Sequence, residues 1–324
     1  MNIGGASALY TLEGKTVWVA GHQGMVGSAI VRRLASESCE VLTASHAELD
    51  LCRQDDTEAW LNTYKPDVVI VAAATVGGIL ANNSRPAEFI RNNLAIETNV
   101  IHGAYEAGVK KLLLLGSSCI YPKYSEQPIV EEALLSGPLE PTNEWYAVAK
   151  IAGIKLCQAY RKQYGCDFIS AQPTNLYGPC DNFDLAEGHV LPALMVKAHE
   201  AKVGGAATMD VWGSGQPRRE FLYVDDLADA LIFLVANYSD ALQINIGSGQ
   251  ELTIRELAET VSEIVEYNGE LVFDSSKPDG TPRKLLDTNR LNKLGWQSNT
   301  DFKDGLRMTY QWYLDNRRKS RGSV

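Results

Sequence analysis

The stretch TVWVAGHQGMVG, residues 16–27, decides the fold. Its first five residues are mostly apolar or β-branched, which favours a buried strand. Glycines in the turn that follows would let the backbone bend sharply and approach a phosphate, and the free N–H groups at a helix start favour negative charge. A dinucleotide is therefore predicted to bind here, and the alternative is a turn with a purely structural purpose. The turn is Gly21-His22-Gln23-Gly24-Met25-Val26-Gly27.

Short apolar runs alternate with longer amphipathic stretches through the first half of the chain. The predicted strands are 16–20, 40–44, 67–74, 111–117 and 167–172, and the predicted helices are 27–37, 57–64, 89–107 and 145–164. Strand–helix–strand units form parallel sheets, so we predict an α/β fold with a Rossmann-type doubly wound sheet.

The regular alternation ends near Gly178 and gives way to loops and isolated elements. We predict a cofactor-binding Rossmann domain at 14–178 and a smaller C-terminal lobe, mainly for substrate, at 179–316. Residues 1–13 are expected to form a flexible N-terminal extension, and residues 317–324 a solvated basic tail without a functional role.

Composition excludes several classes of partner. The 324 residues include 40 acidic and 30 basic side chains, giving a formal charge of −10, so no general attraction to nucleic acid or to an acidic membrane is expected. No apolar run is long enough for a membrane span and the start lacks a signal-peptide pattern, which favours a cytoplasmic protein. The six cysteines form no Cys-x-x-Cys pair, so neither a metal site nor a disulfide framework is predicted.

The end of the second predicted strand bears on the choice of cofactor. It runs Thr43-Ala44-Ser45-His46, where an NAD-selective site usually has an acidic residue on the ribose hydroxyl. Without that acid a 2′-phosphate is tolerated, which favours NADP(H), although no arginine is present there to bind the phosphate. Asp50-Leu51 suits a cap over the adenine edge, and a helix N-cap is the alternative interpretation of Asp50.

Three further residues form a pattern typical of hydride-transfer enzymes. The apolar strand 112–115 leads to Ser117, and Tyr146 and Lys150 follow at a spacing of four, which places them on one helix face. A lysine ammonium beside a phenol is expected to lower the pKa of the phenol toward neutrality. Tyr146 could then give a proton to a carbonyl oxygen, while Ser117 binds that oxygen and Lys150 holds the nicotinamide ribose.

The glycine turn, the strand-end serine and Tyr-x-x-x-Lys, in this order, resemble the extended short-chain dehydrogenase/reductase family. The resemblance spans about residues 14–314 and is closest to members that act on GDP-linked keto sugars. It rests on seven strings: GHQGMVGSAI (21–30), AAATVGG (72–78), GSSCIYPK (116–123), PTNLYGP (173–179), GHVLPAL (188–194), REFLYVD (219–225) and KPDGTPRKLL (277–286).

The resemblance implies a two-stage reaction on GDP-4-keto-6-deoxy-D-mannose. C3 and C5 are inverted and NADPH then reduces the C4 ketone, giving GDP-L-fucose. Inversion beside a ketone needs one group to remove a proton and another to return one, and Cys119 and His189 suit those roles because both titrate near neutrality. The alternatives are that Cys119 is a small core residue and that His189 caps a helix.

The resemblance also assigns binding residues. The resemblance implies that the cofactor is contacted by the glycine turn, by Asp50 and Leu51, and by the catalytic residues Ser117, Tyr146, Lys150 and His189. The further implied cofactor contacts are Leu115, Gly116, Pro173, Asn175 and Leu176. The implied substrate contacts are Ser118, Asn175, Lys197, Trp212, Arg219 and Asp279; for Arg219 the alternative is a surface ion pair, shared with Arg218.

Three positions depart from the family pattern. Gln23 and the segment Ala44-Ser45-His46 stand where arginines for the 2′-phosphate are usual, and Arg33 in the following helix is only a distant candidate to compensate. Lys197 replaces a more common arginine, so a bidentate phosphate contact would become a point charge.

Two rival functions stay open at this point. One keeps the fold and changes the chemistry, as in a 4-epimerase that retains NAD or a reductase that makes another deoxysugar such as GDP-L-colitose. The other is a catalytically idle dinucleotide-sensing regulator, against which the intact Ser117, Tyr146 and Lys150 speak. The resemblance also implies a homodimer, paired through helices at about 90–107 and 145–164.

Overall fold

The structure is a computed structural model that describes residues 8–185, 188–277 and 279–320. The strands are β1 Thr16–Ala20, β2 Glu40–Leu42, β3 Val68–Val71, β4 Lys111–Leu115, β5 Asp167–Pro173, β6 Asn175–Tyr177, β7 Thr208–Trp212, β8 Arg218–Tyr223, β9 Ile244–Ile246, β10 Glu251–Thr253, β11 Glu270–Asp274 and β12 Arg283–Lys284. The helices are α1 Met25–Leu34, α2 Gln54–Tyr64, α3 Ile79–Ser84, α4 Pro86–Glu106, α5 Glu144–Tyr164, α6 Val190–Gly204, α7 Val224–Asn237, α8 Ile254–Val265, α9 Asn289–Leu294 and α10 Phe302–Ser320.

A six-stranded sheet organises the first part of the chain. Its order is β2-β1-β3-β4-β5-β9 and every pairing is parallel. The strand order reverses between β1 and β3, which is where ligands bind in doubly wound folds. The predicted Rossmann-type α/β fold is confirmed.

Helices cover both faces of this sheet, which explains the continuous apolar strands. Alternate residues of β1 enter different cores: Val17 and Val19 pack with α1 and α7, whereas Trp18 and Ala20 pack with α2, α4 and α5. Every residue of β3 and β4 is buried. A sheet covered on both sides has no solvent-facing positions, so polar alternation is lost.

The boundary between the two parts differs from the predicted one at residue 178. The chain leaves the main sheet after β5, builds β6, α6, β7 and β8 of the smaller lobe, returns through α7 to add β9 to the main sheet, and then completes the smaller lobe. The smaller lobe contains a sheet of β6, β8, β10 and β12 and a separate β7–β11 pair. Its core packs α6 and α8 around these strands. A change in the local sequence pattern shows where the chain leaves a sheet, but it does not show where the chain returns to that sheet.

The two predicted terminal segments also differ from expectation. Tyr10 donates its backbone N–H to the carbonyl of Ala236, and Leu12 is only 5% exposed, so residues 8–13 pack on the main core and do not extend away from it. Arg317 belongs to α10 and contacts His199, so the helix continues into the predicted basic tail. Residues 1–7 and 321–324 of those two predictions lie outside the described residues.

Within the described parts of the chain, helices fall short of the length and apolar character that crossing a membrane requires.

Candidate active site

One cavity of about 890 Å³ opens at the carboxyl ends of the central strands, between the main sheet and the smaller lobe. Every residue predicted to be catalytic, cofactor-binding or substrate-binding lines this cavity, apart from Gly27. The folded chain thus brings together side chains that are more than 250 residues apart in sequence, from Gly21 to Asp279.

The glycine turn forms a cradle that larger residues would fill. Gly21 has φ +89°, and a Cβ atom there would lie 2.6 Å from the backbone nitrogen of Ala73. A Cβ atom at Gly27 would lie 2.0 Å from the carbonyl oxygen of Gly21, so Gly27 lets α1 approach the turn from behind. The N-cap residue Gly24 offers no side-chain cap and the first turn of α1 has no acidic residue. The N–H groups at this helix start are therefore suited to a pyrophosphate.

The adenosine end of the cavity contains no arginine among the described lining residues. Arg33 does not compensate, because its guanidinium binds Asp229 and Glu37 at 2.7 Å each, away from the cavity. His22 and His46 line this end, and the Nδ1 atom of His22 is buried without a hydrogen-bond partner among the described residues. A polar ligand group would satisfy that nitrogen.

Asp50 does not cap a helix. The N-cap of α2 is Arg53, and the Asp50 carboxylate instead accepts a hydrogen bond of 3.0 Å from the backbone N–H of Cys52 while it lines the cavity. The interpretation of Asp50 as a helix N-cap is therefore wrong.

Ser117, Tyr146 and Lys150 meet where β4 ends beside α5. The backbone N–H of Ser117 donates to the side-chain oxygen of Gln172 at 2.9 Å, which fixes the turn after β4. Lys150 Nζ donates to the carbonyl oxygen of Leu115 at 3.0 Å and lies 5.8 Å from the centre of the Tyr146 ring. The Ser117 hydroxyl lies near the Tyr146 phenol and slightly favours its ionised form.

The prediction that the pKa of Tyr146 is lowered toward neutrality is wrong. Burial raises the pKa of Tyr146 to about 12, and the opposing effect of Lys150 is too small to reverse this. A residue outside the motif adds to this rise, after burial and Cys119: Glu97 lies 2.9 Å from Lys150 Nζ, and both side chains are 2% exposed. An acidic residue on the buried face of α4, between Ile96 and Val100, is the sequence signal that could have revealed it.

A second group of titratable side chains surrounds Cys119. Its Sγ atom is 3.4 Å from Lys284 Nζ and 3.3 Å from Asn143 Nδ2. Burial alone would raise the pKa of the Cys119 thiol, but Lys284, the Ser117 hydroxyl and Arg219 together lower it below its ordinary value. Lys284 lies inside one of the seven matched strings, although nothing in its spacing indicated contact with Cys119.

His189 stands at the start of α6 with its ring open to the cavity. It is the N-cap residue by position, but its side chain makes no capping hydrogen bond, so the imidazole is not used for capping. Desolvation by the surrounding protein, and then the charge of Lys284, lower the pKa of His189 and favour the neutral ring. A neutral imidazole can accept a proton or donate one, depending on its tautomer.

Aromatic and cationic groups gather at the far end of the cavity. Lys197 Nζ lies 5.3 Å, and Lys277 Nζ 5.6 Å, from the centre of the Trp212 ring, which is half exposed. The Asp279 carboxylate accepts hydrogen bonds from the backbone N–H and the hydroxyl of Ser214 at 2.7 and 2.8 Å. This end has a flat apolar surface beside positive charge, which suits a base next to phosphates.

Arg219 and Asn175 also face the cavity. Arg218 pairs with Glu251 at 3.0 Å, whereas Arg219 donates to the carbonyls of Arg218 and Asp279 while it lines the cavity. The surface-pair alternative thus describes Arg218 and not Arg219. Asn175 donates its side-chain N–H to the carbonyl of Glu220 at 2.7 Å, which fixes its position between the two lobes.

The parallel sheet, the glycine cradle and the Ser-Tyr-Lys group together define a nucleotide-sugar enzyme of the NAD-dependent epimerase/dehydratase family. The chain belongs to that family, because the family's sequence profile matches residues 17–247. The resemblance to extended short-chain dehydrogenases/reductases is thereby confirmed.

Known proteins of this family are similar to the chain over nearly its whole length. The chain is 61% identical to a GDP-L-fucose synthase of Sinorhizobium fredii, over 95% of this chain and 98% of the relative. It is 62% identical to GDP-L-fucose synthase 1 of Arabidopsis thaliana, over 93% of each chain. A crystal structure of a GDP-L-fucose synthetase from Naegleria fowleri bound to NADP matches with a TM-score of 0.89 and 30% identity, covering 97% of this chain and 98% of that one.

Proposed function

We propose that the chain is an NADP(H)-dependent GDP-L-fucose synthase that inverts C3 and C5 of GDP-4-keto-6-deoxy-D-mannose and then reduces the ketone at C4. One observation carries the proposal: a single cavity contains two neighbouring sets of proton-transfer groups, one around Cys119 and one around Tyr146. Relatives with 61–62% identity over nearly the whole chain support the same conclusion.

Epimerisation uses the set around Cys119. A hydrogen beside a ketone is acidic because the enolate spreads its charge onto the oxygen. The lowered pKa of Cys119, held down mainly by Lys284, increases the thiolate fraction that removes such a proton. His189 exchanges the proton on the opposite face, and its lowered pKa keeps the ring neutral between steps.

Reduction uses the set around Tyr146. NADPH, when bound along the glycine cradle, supplies the hydride for the ketone carbon. The Tyr146 phenol gives its proton to the ketone oxygen, and the Ser117 hydroxyl holds that oxygen in place. Because its pKa is about 12, Tyr146 carries its proton at neutral pH and is suited to act as an acid and not as a base.

The nucleotide occupies the far end of the cavity. Lys197 and Arg219 supply the positive charge that the diphosphate requires, and Trp212 offers its exposed ring face to the base or sugar. The Asp279 carboxylate, already oriented by Ser214, accepts hydrogen bonds from the same ligand.

A coupled spectrophotometric and product assay tests the proposal. Purified enzyme is mixed with GDP-4-keto-6-deoxy-D-mannose and NADPH, absorbance at about 340 nm is followed, and the nucleotide sugar is recovered for stereochemical analysis. Substrate-dependent loss of NADPH with GDP-L-fucose as product supports the proposal. Loss of NADPH with a different deoxysugar supports the rival reductase, and binding of NADPH without turnover supports the sensing regulator.

We further propose that the protein is a cytoplasmic homodimer. Helices α4 and α5 pack against each other within the subunit, and α5 exposes Trp145, Val148 and Tyr164 by 40–49%. Apolar side chains on one helix are suited to cover the same helix of a second copy. Light scattering after size-exclusion chromatography should give twice the chain mass, and a value equal to one chain would contradict the dimer.

A further inference from the structure

Helix α4 carries a carboxylate on its buried face. Glu97 is 1% exposed and lies among apolar neighbours such as Ile96, Val100 and Ile101. Burying a charged side chain is strongly unfavourable unless an opposite charge accompanies it. Its partner is Lys150 of α5, at 2.9 Å between Oε1 and Nζ.

The facing helix is shaped to admit this carboxylate. A Cβ atom at Gly153 would lie 2.3 Å from Glu97 Oε2, so any larger residue there would displace the acid. Glycine is unfavourable inside a helix, and its presence in the middle of α5 permits the close approach of Glu97. Burial raises the pKa of the Glu97 carboxyl, and the charge of Lys150 opposes that rise.

We propose that Glu97 is a positioning residue that acts through Lys150: it balances the buried ammonium charge, so that Tyr146 stays a protonated phenol and serves as the acid in ketone reduction. Glu97 lies behind Lys150 and is absent from the residues that line the cavity, so it does not act on the substrate directly. Glu97 has this effect on catalysis only if Tyr146 donates the proton, and the inference therefore rests on the proposed function.

Charge balance gives the physical reason. A buried ammonium favours one anion nearby, and Glu97 and Tyr146 are the two acidic groups of α4 and α5 that interact with Lys150. While Glu97 is ionised, ionising Tyr146 would add an unbalanced negative charge. Without Glu97, the phenolate of Tyr146 becomes the partner of Lys150.

Among the described residues, few other titratable groups surround Glu97, Lys150 and Tyr146. Cys119, after β4, faces Tyr146 and raises the pKa of the phenol, while Cys157, one turn beyond Gly153 on α5, interacts with Glu97 and is held in its thiol form by burial. Neither can replace the negative charge of Glu97, because Cys157 stays neutral and Cys119 contacts Lys284 instead.

Glu97→Gln tests the inference through the ionisation of Tyr146 in enzyme without substrate. Tyrosinate absorbance near 295 nm is titrated with pH, and the corresponding Tyr146→Phe background is subtracted to isolate this one phenol. We expect the Tyr146 transition to move down by about one pH unit or more, as the loss of a buried neighbouring charge implies. The alkaline limb of ketone reduction should move in the same direction.

Controls separate charge from packing. Glu88→Gln removes an exposed carboxylate from the same helix and should leave the Tyr146 transition in place. Glu97→Asp keeps the charge one methylene further from Lys150 and should give a smaller downward shift; it decides the matter if Glu97→Gln does not fold. An unmoved Tyr146 transition in the folded variant would overturn the inference. The titration needs no substrate, so it stays interpretable even if the enzyme makes a product other than GDP-L-fucose.

Discussion

The ammonium of Lys284 lies 3.4 Å from the sulfur of Cys119. Lys284 belongs to β12 in the smaller lobe, whereas Cys119 follows β4 of the main sheet, so the contact joins the two lobes at the site of proposed proton transfer. A cation at this distance favours the thiolate over the thiol. The contact between the two lobes therefore favours the thiolate form of Cys119.

Replacing Lys284 with Met should shift epimerisation to higher pH. Burial raises the pKa of Cys119 and Lys284 opposes it, so without the lysine the thiolate forms only at higher pH. The acid limb of the rate of solvent deuterium exchange at C3 and C5 should then move upward. Lys293→Met, a change at an exposed lysine of α9, serves as the control. An unchanged acid limb would mean that Lys284 does not activate the thiol.

Cys119→Ser should abolish proton removal while the fold survives. A serine hydroxyl keeps the size and polarity but ionises far above neutrality, and general acid–base groups of this kind contribute about 10²–10⁴-fold in rate. NADPH should still reduce the unepimerised ketone slowly, yielding a 6-deoxy D-sugar nucleotide. His189→Gln should also block a proton step. Undiminished deuterium labelling at C3 and C5 in both variants would exclude this pair.

Tyr146→Phe should remove reduction and leave epimerisation in place. The ring still fills the same space, but the hydroxyl near Ser117 is gone, so the ketone oxygen loses its proton donor. NADPH oxidation and deuterium uptake are measured on the same sample. Reduction within about threefold of the wild-type rate, in a range where general acid catalysis contributes at least about 10²-fold, would point to another acid.

NADPH should be preferred over NADH by a modest factor. Among the described residues that line the adenosine end of the cavity, Asp50 is the one acid, and Arg33 is held by Asp229 and Glu37. A charge-assisted hydrogen bond contributes about 1.5–3 kcal/mol, so a site without such arginines should select by about tens-fold and not thousands-fold. The ratio of kcat/KM values for the two cofactors measures this.

Gln23→Arg provides the matched gain-of-function test for the cofactor site. Gln23 lies exposed in the glycine turn on the cavity wall, where an arginine could reach a 2′-phosphate. The variant should raise the NADPH-to-NADH ratio by about tenfold, the equivalent of roughly 1.4 kcal/mol. A wild-type preference for NADH would refute the cofactor assignment itself.

Local sequence patterns predicted much of the fold. The five predicted strands 16–20 to 167–172 each overlap an observed strand, because strands buried on both faces leave continuous apolar runs. The return of α7 and β9 to the main sheet could not be predicted in this way. The sequence of a short strand such as Ile244–Ile246 does not indicate which sheet the strand joins, because that depends on tertiary packing.

The site shows the same division between local and long-range information. The sequence motifs predicted that Ser117, Tyr146 and Lys150 share one site, because the residue spacing within each motif is typical of that site. Glu97 and Lys284 were missed, since each acts on a residue from a different element and neither spacing is fixed by a turn or helix period. The pKa of Tyr146 is raised mainly by burial, with smaller contributions from Cys119 and Glu97, and the Tyr-x-x-x-Lys motif carries no information on any of these.

The central claim is that one cavity performs both epimerisation and reduction, and product analysis in heavy water tests it most directly. GDP-4-keto-6-deoxy-D-mannose and NADPH are incubated with the enzyme in D₂O, and the recovered nucleotide sugar is analysed by NMR. We predict GDP-L-fucose with deuterium at C3 and C5 and with protium at C4, delivered from NADPH. A reduced D-sugar without solvent label at C3 and C5, or labelled sugar that is never reduced, would contradict the claim.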